Sequence, residues 1–182
     1  MNKIKSTLII AAVILSALPT MAQRKPVSPH ETITATLDGN EAKIVYGRPY
    51  SKKPGTDVVR KIWGGLVPWG KAWRMGADQA TLLTTAQPIV IGETTVPAGT
   101  YSLYLVPMET GTSKLAISKK TGQWGIPIDE TQDLARVDVK KDSVDKTVDQ
   151  FTMAIDKNPA GGGVIKMMWE NTQFSVAFTV KK

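Results

Sequence analysis

Apolar and polar residues alternate along most of this chain with a period of two, as half-buried β-strands require. The last run is the clearest, with Phe174, Val176, Phe178 and Val180 on one face and Ser175, Ala177 and Thr179 on the other. The same pattern predicts strands over residues 31–37, 41–47, 80–85, 88–92, 100–107, 114–119, 134–140, 150–156 and 164–170. Asp38-Gly39-Asn40 lies between the first two runs, and Asp-Gly between alternating segments predicts a hairpin. Turn chemistry separates later runs at Pro97-Ala98-Gly99, Gly111-Thr112-Ser113, Thr121-Gly122 and from Asn158 to Gly163. Only residues 129–136 can form a helical turn. Ten short strands with no amphipathic helix predict an all-β fold, an antiparallel sandwich or jelly roll, with a barrel as the alternative.

One connection breaks this rhythm. The stretch between the second and third strands is too long for an ordinary link, and loops of that length are either functional or disordered. Its Trp content argues for order. Neither an internal repeat nor an interdomain linker is visible.

Residues 1–22 carry a different pattern. Lys3 and Lys5 precede an apolar run from Leu8 to Leu18, and Thr20-Met21-Ala22 forms a small-residue cleavage site before Gln23. This predicts a cleaved signal peptide and a single mature domain over residues 23–182, periplasmic or secreted. The apolar run is shorter than the roughly 20 residues a membrane helix needs, so no membrane span is expected after cleavage. The chain has no Cys and therefore no disulfide. A domain of this size buries about 70 % of its unfolded surface and needs neither disulfide nor structural metal to fold.

Charge sharpens the picture of the long loop. Residues 48–78 hold seven Lys or Arg against two Asp or Glu, while the rest of the mature chain holds fourteen of each sign. Three of the five Trp lie in the same segment. A local basic, aromatic surface suits an anionic or polar partner. Nucleic acid is not expected, because its usual helix and ribbon signatures are missing.

Several stretches carry a resemblance: SPHET at Ser28 to Thr32, YGRP at Tyr46 to Pro49, RKIWGGLVPWGKAWRMGA at Arg60 to Ala77, VPAGTYSLY at Val96 to Tyr104, QWG at Gln123 to Gly125, and MWE at Met168 to Glu170. In that order they resemble DUF2911, a family of exported bacterial proteins known only as a domain of unknown function. The resemblance spans nearly all of the mature chain and implies an envelope location and one β-rich domain. It brings no activity, so no catalytic residue is carried over. The chain departs from the family pattern in two places. Gly76-Ala77-Asp78-Gln79-Ala80-Thr81 stands where the family usually reads Gly-Ala-Asn-Glu-Ala-Thr, and Ile128 precedes Asp129-Glu130 where an aromatic is usual. Binding tolerates such shifts better than acid–base geometry does.

Catalytic motifs are sparse. One His, His30, and no Cys exclude the His- and Cys-rich zinc sites, and no cofactor is expected. Asp129, Glu130 and Asp133 lack EF-hand spacing and read as a solvated acidic turn or one paired with Arg136. There is no Gly-x-Ser-x-Gly elbow, and Ser28 sits beside Pro29 near the mature N-terminus, where a nucleophile is poorly held. His30 reads more simply as a hydrogen-bonding residue at the start of the first strand. Gly64-Gly65, Gly70 and Gly76 permit close backbone approach but form no phosphate loop.

The candidate ligand-binding residues are Arg48, Tyr50, Arg60, Trp63, Trp69, Lys71, Trp73, Arg74 and Asp78. Each Trp either anchors the loop in the core or faces a ligand. Each Arg either stacks on an aromatic or forks onto a carboxylate. That carboxylate is a ligand's, or it is the protein's own Asp57 or Asp78. The leading expectation is a non-catalytic binding module for a small anionic or carbohydrate ligand or an envelope protein. One alternative is a hydrolase or lyase acting on an envelope glycan or peptide, with Asp78, Arg74 and His30 in its site. The other is a structural assembly factor. A pocket with converging polar groups favours a site, and a flat aromatic patch favours docking.

Overall fold

The structure is a computed structural model that describes residues 27–182. The signal peptide expected over residues 1–22 and its cut before Gln23 lie outside the described residues. Among these there are nine strands: β1 (His30–Leu37), β2 (Asn40–Gly47), β3 (Thr81–Thr85), β4 (Ile89–Ile91), β5 (Thr94–Val96), β6 (Gly99–Val106), β7 (Ser113–Ser118), β8 (Asp133–Lys157) and β9 (Gly163–Val180). A single 3-10 turn at Glu130–Gln132, capped by the Asp129 side chain, falls within the segment expected to form a helical turn.

The all-β, antiparallel class predicted by the alternation is observed. The strands form one open sheet in the order β1-β2-β3-β6-β7-β8-β9-β4-β5, rather than the separate sheets expected of a sandwich or jelly roll. Continuity comes from the length of β8. Its first part pairs with β7 from Asp133 to Val139, and its later part pairs with β9 from Lys140 to Lys157. What the alternation predicts as four short strands is two long ones, interrupted by register shifts between Ser143 and Val148 and between Val148 and Thr152.

The two wings of the sheet share one core. Ala42, Ile44 and Tyr46 from β2, and Leu103 and Leu105 from β6, cluster with Phe151, Met153, Trp169, Phe174 and Phe178 from the far wing. Tyr46 meets Phe151 edge-on at 5.7 Å between ring centroids. Its phenol, pushed up to about 12 chiefly by burial, accepts the Met153 amide at 2.9 Å and donates to Glu31 Oε2 at 2.7 Å. Burial of Phe174, Val176 and Phe178 matches the face read from the sequence, with Val180 at the strand end only half-buried, and each buried aromatic contributes on the order of 1.5–3 kcal/mol.

Hairpin chemistry sets the register. Leu37 pairs with Asn40 across a two-residue turn in which Asp38 and Gly39 both have positive φ, 49° and 80°, as a type I′ turn requires. The Asp38 carboxylate then accepts the Gly162 amide at 2.6 Å, joining this turn to the one between β8 and β9.

Candidate functional site

The chain between β2 and β3 has no regular strand, yet main-chain pairing holds it along its length. Tyr50 bridges to Gln150, Lys52 to Val59, Trp63 to Val67 and Trp73 to Leu105. The last is a full antiparallel exchange, with N–H···O distances of 2.7 and 2.8 Å. The segment is thus ordered, as its Trp content implies.

Its return toward β3 needs close backbone approach. A Cβ added to Gly76 would lie 2.6 Å from the Gly47 carbonyl oxygen, and one added to Gly47 would run into the Ala77 carbonyl. Met75 and Asp78 adopt left-handed φ of 53° and 64° on either side. An L-residue adopts that conformation only where its surroundings hold it. At Asp78 the hold is visible: its buried carboxylate accepts the amides of Val27 at 3.1 Å and Ser28 at 3.0 Å and contacts His30 Nε2 at 3.3 Å. Burial pushes this carboxyl upward, but the two amides and the imidazole outweigh that and hold it below the usual carboxylate range.

These contacts shape a groove of about 850 Å³. Val27, Ser28 and Pro29 form part of its wall, with Gly76 and Ala77 beside them; Ile126, Asp149 and Trp169 come from distant parts of the chain. Most of its lining is apolar. Of the nine candidate residues, Tyr50, Arg60, Trp73 and Arg74 line it.

The other five are placed elsewhere, each for a physical reason. Arg48 is a tie between the wings of the sheet: it pairs with Glu31 at 3.1 Å and donates to the Phe151 carbonyl at 3.3 Å and to Thr152 Oγ1 at 2.9 Å. Trp63 packs into the aromatic cluster, stacked on Trp69 at 5.9 Å and edge-on to Phe174 at 5.3 Å, with its indole N–H on the Trp169 carbonyl. Trp69 carries the Lys141 ammonium over its ring at 4.6 Å. Lys71 is exposed and lies outside the groove. Asp78 is buried against the segment before β1. Trp73 serves both roles, stacking on Trp169 at 5.8 Å while lining the groove.

The two groove arginines are bonded in a way that composition does not reveal. Arg60 donates through Nε to the Ser51 carbonyl at 3.3 Å and through Nη2 to the Tyr50 carbonyl. Arg74 donates through Nη1 to the carbonyls of Asp78 and Trp124, at 3.2 and 3.4 Å. Among the described residues neither guanidinium has a carboxylate within salt-bridge distance, whereas Asp57 pairs instead with Lys52 at 3.1 Å. Burial pulls the Arg74 pKa down, and the Asp78 charge only partly opposes it. Asp149 is the groove's one carboxylate, against Lys52, Lys53, Arg60 and Arg74.

The groove residues missed in the sequence come from outside the basic loop. Trp169 shares the inward face of β9 with Met167 and Ile165, a periodicity that marks it as core. Its indole nitrogen is buried and has no hydrogen-bond partner among the described residues. Val27, Ile126 and Asp149 have no local signal at all. Among the described residues no group of three or more His, Asp or Glu is placed to hold a metal ion, and no helix is long and apolar enough to cross a membrane. No curated protein and no solved structure matches the chain significantly. Over residues 28–178 the chain matches the family described as protein of unknown function (DUF2911), and it belongs to that family.

Proposed function

We propose that the protein is a non-catalytic binding module of the cell envelope that holds an anionic ligand in the groove built on residues 48–78. One observation carries this reading: Arg60 and Arg74 line the groove, bonded to main-chain carbonyls and, among the described residues, to no carboxylate. A guanidinium on a carbonyl keeps its charge, which for Arg74 the nearby Asp78 offsets only in part, and a carboxylate or similar anion is its natural complement. The alternative of a hydrolase or lyase gains no support from Asp78: its Oδ2 accepts two amides and contacts His30, these hold its pKa below the usual carboxylate range, and the residue does not line the groove. A carboxylate of lowered pKa is a weaker general base.

Titration of the purified protein with small carboxylates, phosphates and neutral sugars tests the reading, with Trp73 and Trp169 in the groove as fluorescent reporters. Anions are expected to bind, and Arg60→Gln or Arg74→Gln to weaken them by about 1.5–3 kcal/mol. Unchanged affinity in both variants would refute the site. The envelope location rests on the leader pattern of Lys3, Lys5, the apolar run and Thr20-Met21-Ala22. Intact mass of protein from its native host should correspond to a chain beginning at Gln23; a chain still beginning at Met1 would overturn cleavage.

A further inference from the structure

Exposed apolar side chains among the described residues gather at the groove and beside it. Six large apolar side chains stand strongly exposed among the described residues: Val27, Tyr50, Val58, Val59, Leu66 and Ile126. Four of them, Val27, Tyr50, Leu66 and Ile126, line the groove. Val58 and Val59 sit on the neighbouring turn, where Lys52 pairs with Val59. Large exposed apolar residues in one place mark a contact site, whereas single ones need no explanation.

The polar lining is equally selective. Besides the charged residues, Ser28, Thr56 and Tyr50 bring hydroxyls and Trp73 and Trp169 indole N–H groups, and among the described residues neither Asn nor Gln lines it. A glycan presents many hydroxyls that each need donors and acceptors, so a wall of Pro, Leu, Ile, Tyr and Trp would leave most of them unpaired. An apolar body with one charged end makes fewer such demands. The cavity of about 850 Å³ is concave and of the size that encloses a single organic molecule, unlike the flat face that suits a bilayer.

We infer that the groove takes a free amphipathic monoanion, an acid group on a long acyl chain, with the acid against Arg60 and Arg74 and the chain along Trp73, Leu66, Tyr50 and Ile126. This rests on the anion-binding reading above and names the class of ligand for the same groove. With Lys52 paired to Asp57, Lys53, Arg60 and Arg74 stand against Asp149, so the groove keeps a net positive charge, and the two guanidiniums are the cations that main-chain carbonyls hold in place.

The test is a fluorescence titration with saturated carboxylates of increasing length, kept below their micelle concentrations, beside alcohols of equal length and short-chain carboxylates. Affinity should rise roughly fourfold per methylene until the groove is filled. The acid should bind more than about tenfold better than the alcohol, the scale of one charged hydrogen bond. In the double variant Arg60→Gln/Arg74→Gln the gap between acid and alcohol should close while the dependence on length remains. Leu66→Ser, a change at an exposed side chain, should lower affinity several-fold for long chains and leave short ones unaffected. Short and long acids binding equally well would overturn the acyl-chain inference and leave the anion site standing. Equal binding of acid and alcohol by the unaltered protein would overturn both. Sedimentation with phosphatidylglycerol vesicles, with no response to monomeric acids, would replace the inference with a membrane contact.

Discussion

Arg74 Nη1 donates to the main-chain carbonyl of Asp78 at 3.2 Å, while Asp78 Oδ2 accepts the amides of Val27 and Ser28. The two residues are neighbours without being an ion pair in the usual side-chain sense. The distinction decides what each side chain does. Asp78 fixes the segment before β1 as a wall of the groove, and among the described residues Arg74 has no side-chain carboxylate within salt-bridge distance.

Removing Arg74 therefore strands no buried carboxylate. Arg74→Gln should cost about 1 kcal/mol, the worth of ordinary hydrogen bonds to carbonyls. Arg48→Gln, by contrast, removes the partner of Glu31 and two further bonds to β8, and should cost about 2–3 kcal/mol. Denaturant melts of the two variants check the order. A loss for Arg74→Gln as large as for Arg48→Gln would mean that Arg74 is held as a structural ion pair.

The core prediction follows from Phe178, which is buried and whose ring closes over Gly163. A Cβ at Gly163 would meet Phe178 Cζ at 2.7 Å. Phe178→Ala should cost about 3–5 kcal/mol, and Gly163→Ala about 1–3 kcal/mol by overpacking. A melt showing less than about 1 kcal/mol lost for Phe178→Ala would place that ring outside the core.

How much of this was legible depends on how local each signal was. Residue pattern locates β1, β2, β3, β4, β6 and β7 within a residue or two: the first four bury one face more than the other, and β6 and β7, buried on both faces, stand out as apolar runs between turns. It divides β8 and β9, since residues 140–149 of β8 are largely exposed on both faces and Glu170 of β9 has a left-handed φ of 52°. Nothing in such stretches alternates, yet the ladder continues. It omits β5, whose three residues Thr94–Val96 are too few to show a period. The charge and Trp density of residues 48–78 point to the groove, and four of the nine candidates line it. The rest of the wall, Val27, Ile126, Asp149 and Trp169, is assembled by tertiary folding, and whether an Arg meets a carboxylate or a carbonyl depends on a backbone path that residue types do not encode.

Acid should loosen the groove wall. The Asp78 carboxyl is held below its ordinary value of 3.8, so its contribution to stability is present above that value and is lost as the pH falls through the lowered folded one. In Asp78→Asn this share of the acid dependence should vanish, and the variant should be less stable by about 1–3 kcal/mol near neutral pH, where the charged acceptor is missing. Melts between about pH 2 and 7 give the comparison. Parallel curves for the two proteins would show that Asp78 carries none of the acid sensitivity.

Alkali should act at the junction of the two wings. Tyr46 is pushed up to about 12, chiefly because its phenol is buried, with the Glu31 carboxylate adding to the shift and the Met153 amide opposing it. A raised phenol favours the folded state while it stays neutral. Its contribution is fully present below the unfolded value of 10 and is lost as the pH rises from there toward 12. At about 1.4 kcal/mol per unit the share lost is at most about 2–3 kcal/mol. Spectrophotometric titration should thus find one of the four tyrosines ionising near pH 12 and the absorbance step sharpening as the fold opens. Tyr46→Phe strands the Met153 amide and should cost about 1–3 kcal/mol at neutral pH, yet it should flatten the alkaline limb. The gap between variant and unaltered protein is therefore expected to narrow above pH 10. If it stays constant to the end of the alkaline range, the phenol is not what couples the wings of the sheet to pH.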